Sequence, residues 1–153
     1  MENFRRNQSK VLIVTDLASR GIDIPFVTNV IHYDYPSKPK IFIHRSGRTA
    51  RAGKVGAVYA LIASEEILYI QETMVYVGRK LVTEGEFNDP SLAFYGSMPI
   101  DLLMQNQEKI NELGDDAEFQ NYKEIATRAN EKFKKTRGSA KKVKSVIDTS
   151  IVH

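Results

Sequence analysis

The sequence predicts an α/β fold, a parallel sheet with flanking helices followed by a C-terminal helical hairpin. Two kinds of observation predict it. Val11–Thr15 is a continuous β-branched and apolar run, as expected of a strand buried on both faces, and Val27–Tyr33 and Ala57–Ala63 read the same way. Helical patterns lie between and after these runs, and alternation of strand with helix implies right-handed crossovers in one parallel layer.

Each element has its own signals. The segment between the second and third strands is entered from Ser37 or Pro39 and stopped near Gly53, which predicts a helix over 40–51. Ser64-Glu65-Glu66 is a hydroxyl cap followed by two acids, a good helix entry. Ile67, Ile70, Met74, Val77 and Leu81 then recur at helical spacing, so 65–82 should form an amphipathic helix covering the sheet. Residues 83–99 hold two glycines and two prolines and read as a linker. Pro99 can open a helix that runs to Leu113 and stops at Gly114, and Asp115 or Asp116 can cap the next. Phe119, Tyr122, Ala126, Ala129 and Phe133 alternate spacings of three and four, a narrow apolar seam suited to packing within a hairpin or, alternatively, to a coiled-coil partner. The expected organisation is an α/β unit over 1–82, a linker over 83–99, a helical extension over 100–137 and a basic tail over 138–153.

Composition narrows the function classes. The 153 residues suit one domain with a modest core. No apolar run is long enough for a transmembrane helix, and the N-terminus lacks the apolar stretch of a secretory signal. There is no cysteine, which excludes disulfides and thiolate metal sites and fits a reducing compartment. His32, His44 and His153 show no metal-ligand spacing, so no metal site is expected. The net charge of +3 hides an asymmetry: residues 1–60 carry +6, 61–131 carry −9, and 132–153 carry +6. Two basic blocks flanking an acidic middle suggest two polyanion-facing segments. For Lys132 to Lys144, which has seven basic residues and no acid, a solubilising tail and a nonspecific RNA-phosphate contact are both open.

The densest chemistry lies in His44-Arg45-Ser46-Gly47-Arg48-Thr49-Ala50-Arg51-Ala52-Gly53. On a helix, His44, Arg48 and Arg51 fall at i, i+4 and i+7 and share one face. Two guanidiniums and an imidazole then address one target, and guanidinium forks suit phosphate oxygens. A solvated basic face is the alternative.

Together with Val11-Leu12-Ile13-Val14-Thr15-Asp16-Leu17-Ala18-Ser19-Arg20-Gly21-Ile22-Asp23-Ile24-Pro25, this run resembles motifs VI and V of the DEAD-box RNA helicases, in that family's order and spacing. The resemblance implies a partial RecA-like sheet of the P-loop NTPase type, the latter half of the second helicase domain. It implies that Arg48 and Arg51 reach the γ-phosphate of ATP, that His44 bridges to the first domain, and that Asp23 accepts from the ribose. It assigns Thr15 to an RNA phosphate, while Gly21 permits an unusual backbone beside that contact. ATP with Mg2+ would be held mainly by the N-terminal RecA-like domain, since no Gly-x-x-x-x-Gly-Lys-Ser/Thr phosphate loop and no Asp-Glu-Ala-Asp sequence occurs here. The expected partners are RNA and that first domain, and the chain alone is expected to be inactive. Three buried-type strands without their usual neighbours also predict self-association.

Other readings remain for each residue. Asp23 can be a loop acid satisfied by backbone amides, Thr15 a strand end with no ligand, and Asp16 a structural partner of Arg20. Departures from the family pattern are mild. Ser19 replaces the usual alanine, Ser46 stands where a β-branched residue is common, and Ala50 replaces the usual glycine, which should favour helix without disturbing the arginines. Tyr35–Phe42, Phe94–Pro99 and Ala126–Ala129 resemble a nucleolar branch of the family that acts in large-ribosomal-subunit assembly, implying a nuclear, nucleolar location. A non-catalytic RNA- or partner-binding module derived from a helicase domain is the alternative.

Overall fold

The computed structural model describes residues 1–19, 26–85 and 89–140. In chain order these form α1 (Glu2–Arg5), α2 (Asp16–Ser19), β1 (Asn29–His32), α3 (Pro39–Ser46), β2 (Ala57–Ala60), a 3-10 turn (Ser64–Glu66), α4 (Ile67–Val77), β3 (Lys80–Val82), β4 (Leu92–Phe94), α5 (Ile100–Gly114) and α6 (Ala117–Thr136). The class is α/β, as the alternation of patterns predicts, but the described strands form two separate two-stranded parallel sheets instead of one layer. β1 and β2 pair in parallel with Asn29 opposite Ala57 and His32 opposite Ala60, and β3 pairs with β4 in parallel with Lys80 opposite Leu92.

Several elements differ from expectation. Val11–Thr15 is not a strand: no described strand pairs with it, and Ile13 is 92% exposed. An apolar, β-branched run fits a pleated surface, but it becomes a strand only where a neighbour supplies the ladder. The helix expected over 65–82 ends at Val77, because Gly78 adopts φ 70° and its amide, with that of Arg79, closes onto Val75 and Met74 carbonyls. Leu81, placed on that helix by spacing, lies in β3 instead. The helix entry is also different. The Ser64 hydroxyl is no cap; the Glu66 carboxylate reaches back to accept from the Ala63 amide at 3.0 Å. The stretch 83–99 is not simply a linker, since Leu92–Phe94 forms β4 beside β3.

The helical hairpin follows its signals closely. Pro99 precedes α5, and the Asp116 carboxylate accepts from the Phe119 amide at 2.9 Å as the cap of α6. Its seam is open, however: Tyr122 is 59% exposed and Phe133 41%.

The core lies under α4. Tyr35, Ile70 and Met74 are buried, with Phe42, Ala60, Ile62, Leu81 and Ala93 packed around them from α3 and both strand pairs. Burying Ile70 and Met74 contributes about 1.5–3 kcal/mol each. Thr73, also buried, satisfies its hydroxyl by donating to the Tyr69 carbonyl at 2.8 Å, which lets a polar residue occupy the inner face. This packing fixes α3, and α3 carries the candidate site.

Candidate functional site

The Arg-rich segment is a helix followed by a tight loop, rather than one continuous helix. Pro39 opens α3, and the chain leaves helix after Ser46. Three residues then take left-handed backbone: Ala50 at φ 53°, Ala52 at 54° and Gly53 at 75°. The expected helix over 40–51 is thereby corrected, and with it the premise that His44, Arg48 and Arg51 share a helix face. Ala50 does not favour helix here. It holds an L residue in a conformation that glycine adopts freely.

The loop nevertheless gathers the same groups by another route. His44 Nε2 and Arg48 Nη2 are hydrogen-bonded at 3.2 Å. Arg51 folds back over Gly47, where a Cβ would stand 3.5 Å from Arg51 Nη2 and 3.1 Å from the Ile43 carbonyl oxygen. A side chain at Gly47 would be crowded by the Ile43 carbonyl, while the Arg51 guanidinium lies at ordinary contact distance. Among the described residues neither Arg48 nor Arg51 forms an ion pair. Arg48 is half-buried, and its Nε has no hydrogen-bond partner among the described residues.

Residues to which the sequence assigns no role hold this loop in place. The Thr49 hydroxyl, buried, donates to the Thr28 carbonyl at 3.0 Å, and the Val27 amide donates to the Arg48 carbonyl at 3.2 Å. Gly56 makes room for Thr49, since a Cβ there would stand 1.9 Å from Thr49 Oγ1. Arg45 performs the longer-range task. Its Nε and Nη2 donate to Asp16 Oδ1 and Oδ2 at 2.6 Å each, and its Nη1 donates to the Asp34 carbonyl at 2.8 Å. Among the described residues Asp16 pairs with Arg45; the expected pairing with Arg20 falls outside the described residues. The arginine of the His-Arg pair was visible in the motif, but nothing local indicated that it spans 29 residues to Asp16.

Behind Arg45 sits His32, 1% exposed, stacked on Phe42 with ring centroids 4.7 Å apart and hydrogen-bonded through Nε2 to Ser46 Oγ at 3.1 Å. Ser46 therefore supplies a partner for a buried ring instead of packing an aliphatic branch. Burial first, then the Arg45 charge, hold the His32 pKa down to about 4, outweighing the opposing pull of Asp16. The imidazole is neutral at pH 7.

Thr15 is exposed and adjoins Asp16, so the Arg45 bridge fastens the Thr15 segment to the helix bearing His44. Gly21 and Asp23 lie outside the described residues.

The structure thus bridges the Thr15–Asp16 segment through Arg45 to a helix bearing His44 and a following loop bearing Arg48 and Arg51. Residues 1–53 match the family described as helicase conserved C-terminal domain. Over 160 residues the chain is 42% identical to the ATP-dependent RNA helicase dbp10 of Aspergillus clavatus, covering 97% of this chain and 17% of that protein. It is 44% identical over 116 residues to the ATP-dependent RNA helicase ddx54 of Dictyostelium discoideum, covering 72% of this chain and 11% of that protein. The C-terminal domain of the DEAD-box protein Dbp5 superposes with a TM-score of 0.48 at 30% identity, covering 71% of this chain and 58% of that one. The chain belongs to the DEAD-box RNA helicase family, and it spans about 17% of the length of the dbp10 relative.

Proposed function

We propose that this chain is the part of an ATP-dependent RNA helicase that delivers Arg48 and Arg51 to the γ-phosphate of ATP bound on a first RecA-like domain. The supporting observation is that His44 orients Arg48 while Arg51 lies over Gly47, with no described carboxylate paired to either. Phosphoryl transfer depends on position and charge stabilisation, and an arginine finger contributes roughly 10³–10⁵ in rate. Guanidiniums fixed in advance suit developing charge on the phosphoryl oxygens better than mobile lysines.

In this reading Asp23 accepts from the ribose hydroxyls, Thr15 contacts an RNA phosphate, and Gly21 lets the backbone approach that strand. His44 bridges to the first domain when the two close. The Arg45–Asp16 bridge couples the RNA-facing Thr15 to the ATP-facing loop, so closure on one ligand positions the groups for the other. Mg2+ would accompany ATP and be held by the first domain. The local side chains here are cationic, and no group of three His, Asp or Glu among the described residues could hold a metal ion. The work done would be local separation of RNA duplexes or remodelling of ribonucleoprotein in large-ribosomal-subunit assembly, in the nucleolus.

The deciding experiment is Arg51→Ala in the full-length protein. RNA-stimulated ATP hydrolysis should fall by at least about 10³-fold with RNA affinity nearly unchanged; unchanged turnover removes Arg51 from the reaction. Salt-sensitive RNA binding through residues 132–144 that survives Arg48→Ala, with no ATPase in the full-length protein, would favour a non-catalytic module. The exposed apolar residues Ile13, Ile31 and Tyr59 also support self-association of the isolated polypeptide. Sedimentation is expected to show a dimer or larger species, and a stable monomer would refute that part.

A further inference from the structure

The guanidinium of Arg137, just beyond α6, is the most enclosed cation of the ion pairs among the described residues. Its side chain is 6% exposed, and its ion-pair partner Glu66 is 12% exposed. Nη1 donates to Glu66 Oε1 at 2.9 Å and Nη2 donates to the Tyr35 carbonyl at 3.0 Å. The guanidinium carbon stands 3.7 Å from the centroid of the Tyr69 ring and 5.3 Å from that of Phe133.

The receptor groups come from the α/β unit, and each has a further contact there besides the arginine. Tyr35 is buried in the core, Tyr69 lies on α4 beside it, and the second Glu66 oxygen is held by the Ala63 amide. A carboxylate, a carbonyl at a right-sized separation and an aromatic face together match a planar fork and a delocalised charge. An ammonium has neither. Nε has no partner among the described residues, and an open cleft of about 330 Å³ lined by Asp34, Leu61, Ile62 and Asn130 borders the group. Two further contacts hold the same end of the arm, the exposed Lys134–Glu65 pair at 2.5 Å and the Tyr69 hydroxyl donating to the Gly138 carbonyl at 2.8 Å, while α5 has no buried residue.

We propose that Tyr35, Glu66 and Tyr69 form an arginine-binding site, selective against lysine, which Arg137 occupies in cis and which an arginine presented in trans can enter. The site holds the end of the helical arm on the α/β unit, and filling it from outside releases that end. This inference stands apart from the proposed ATPase role and uses none of its residues.

The test uses the full chain carrying Arg137→Ala and a peptide of residues 128–140 that supplies Arg137 in trans. The peptide should bind this variant with saturable shifts in Tyr69 and Glu66 resonances and bind the unaltered chain at least tenfold more weakly. A peptide with lysine at position 137 should bind at least tenfold more weakly than the arginine peptide, and adding Glu66→Gln to the host should abolish binding. If Arg137→Ala does not fold, Arg137→Lys serves as host with the same expectations. Equal binding of the arginine and lysine peptides, or equal binding to unaltered and variant chains, would overturn the proposal.

Discussion

Arg45 grips Asp16 with two parallel hydrogen bonds of 2.6 Å, and it spends its remaining edge on the Asp34 carbonyl at 2.8 Å. One side chain therefore joins three separate segments: the start of α2, the exit of β1 and the last turn of α3. A lysine could keep the charge but only one of these directions. The pair is partly solvated, so Arg45→Lys should cost about 1 kcal/mol, and a double-mutant cycle with Asp16→Asn should show coupling of similar size. Urea unfolding measures both, and a coupling near zero would mean the bridge holds nothing.

Among the described glycines, Gly56 is the one least able to accept a side chain. A methyl there would meet Thr49 Oγ1 at 1.9 Å and the Ala50 amide nitrogen at 2.7 Å. Backbone must move, because Thr49 is itself pinned to Thr28. Gly56→Ala should destabilise by about 1–3 kcal/mol and, in the full-length protein, lower ATPase by displacing the arginine loop. A melting temperature within a degree of the parent would contradict this geometry.

Ala50 gives a prediction whose sign separates two conformations. In a helix, Ala50→Gly would destabilise by about 1 kcal/mol. At φ 53° the same change relieves a left-handed L residue, an effect of about 1–2 kcal/mol partly offset by the freedom glycine gains in the unfolded chain. We expect stability unchanged or raised by up to about 1 kcal/mol in chemical denaturation; a clear loss would show that the loop is helical.

His32 should make stability fall with acidity. Its folded pKa of about 4 lies below the ordinary 6.5, so the unfolded chain takes up a proton that the folded chain refuses. Stability from this residue is full above pH 6.5, is lost as pH drops towards 4, and levels off beneath. The loss is on the order of 3 kcal/mol. His32→Gln, which keeps a partner for Ser46, should flatten the profile between pH 6.5 and 5, where ordinary carboxylates stay ionised. An unaltered slope would place the titration elsewhere.

The sequence carried some of this well and some not at all. The α/β alternation, the Asp116 cap and the entry of α3 at Pro39 rest on local rules, and each is visible within a few residues. Strand status for Val11–Thr15 was not local: apolar character permits a strand, but pairing decides it. The end of α3 was missed because a family glycine replaced by alanine reads as helix-favouring, whereas the loop contacts of Thr49 and Arg48 hold Ala50 in left-handed backbone. Arg45 and Arg137 act on Asp16, Glu66 and Tyr35 across 29, 71 and 102 residues, separations at which no pattern in a single sequence speaks.

The contact between Arg137 and Tyr35 also orders events in time. Tyr35, Glu66 and Tyr69, which receive this arginine from the α/β unit, all lie N-terminal to residue 70, so a growing chain exposes them well before their ligand is synthesised. The loop closed by that contact is among the longest available to the molecule, and its closure is entropically the last to be favoured. The arm should therefore dock late in folding and detach early in unfolding, leaving proteases their first cut beyond α4 while the α/β unit is still intact.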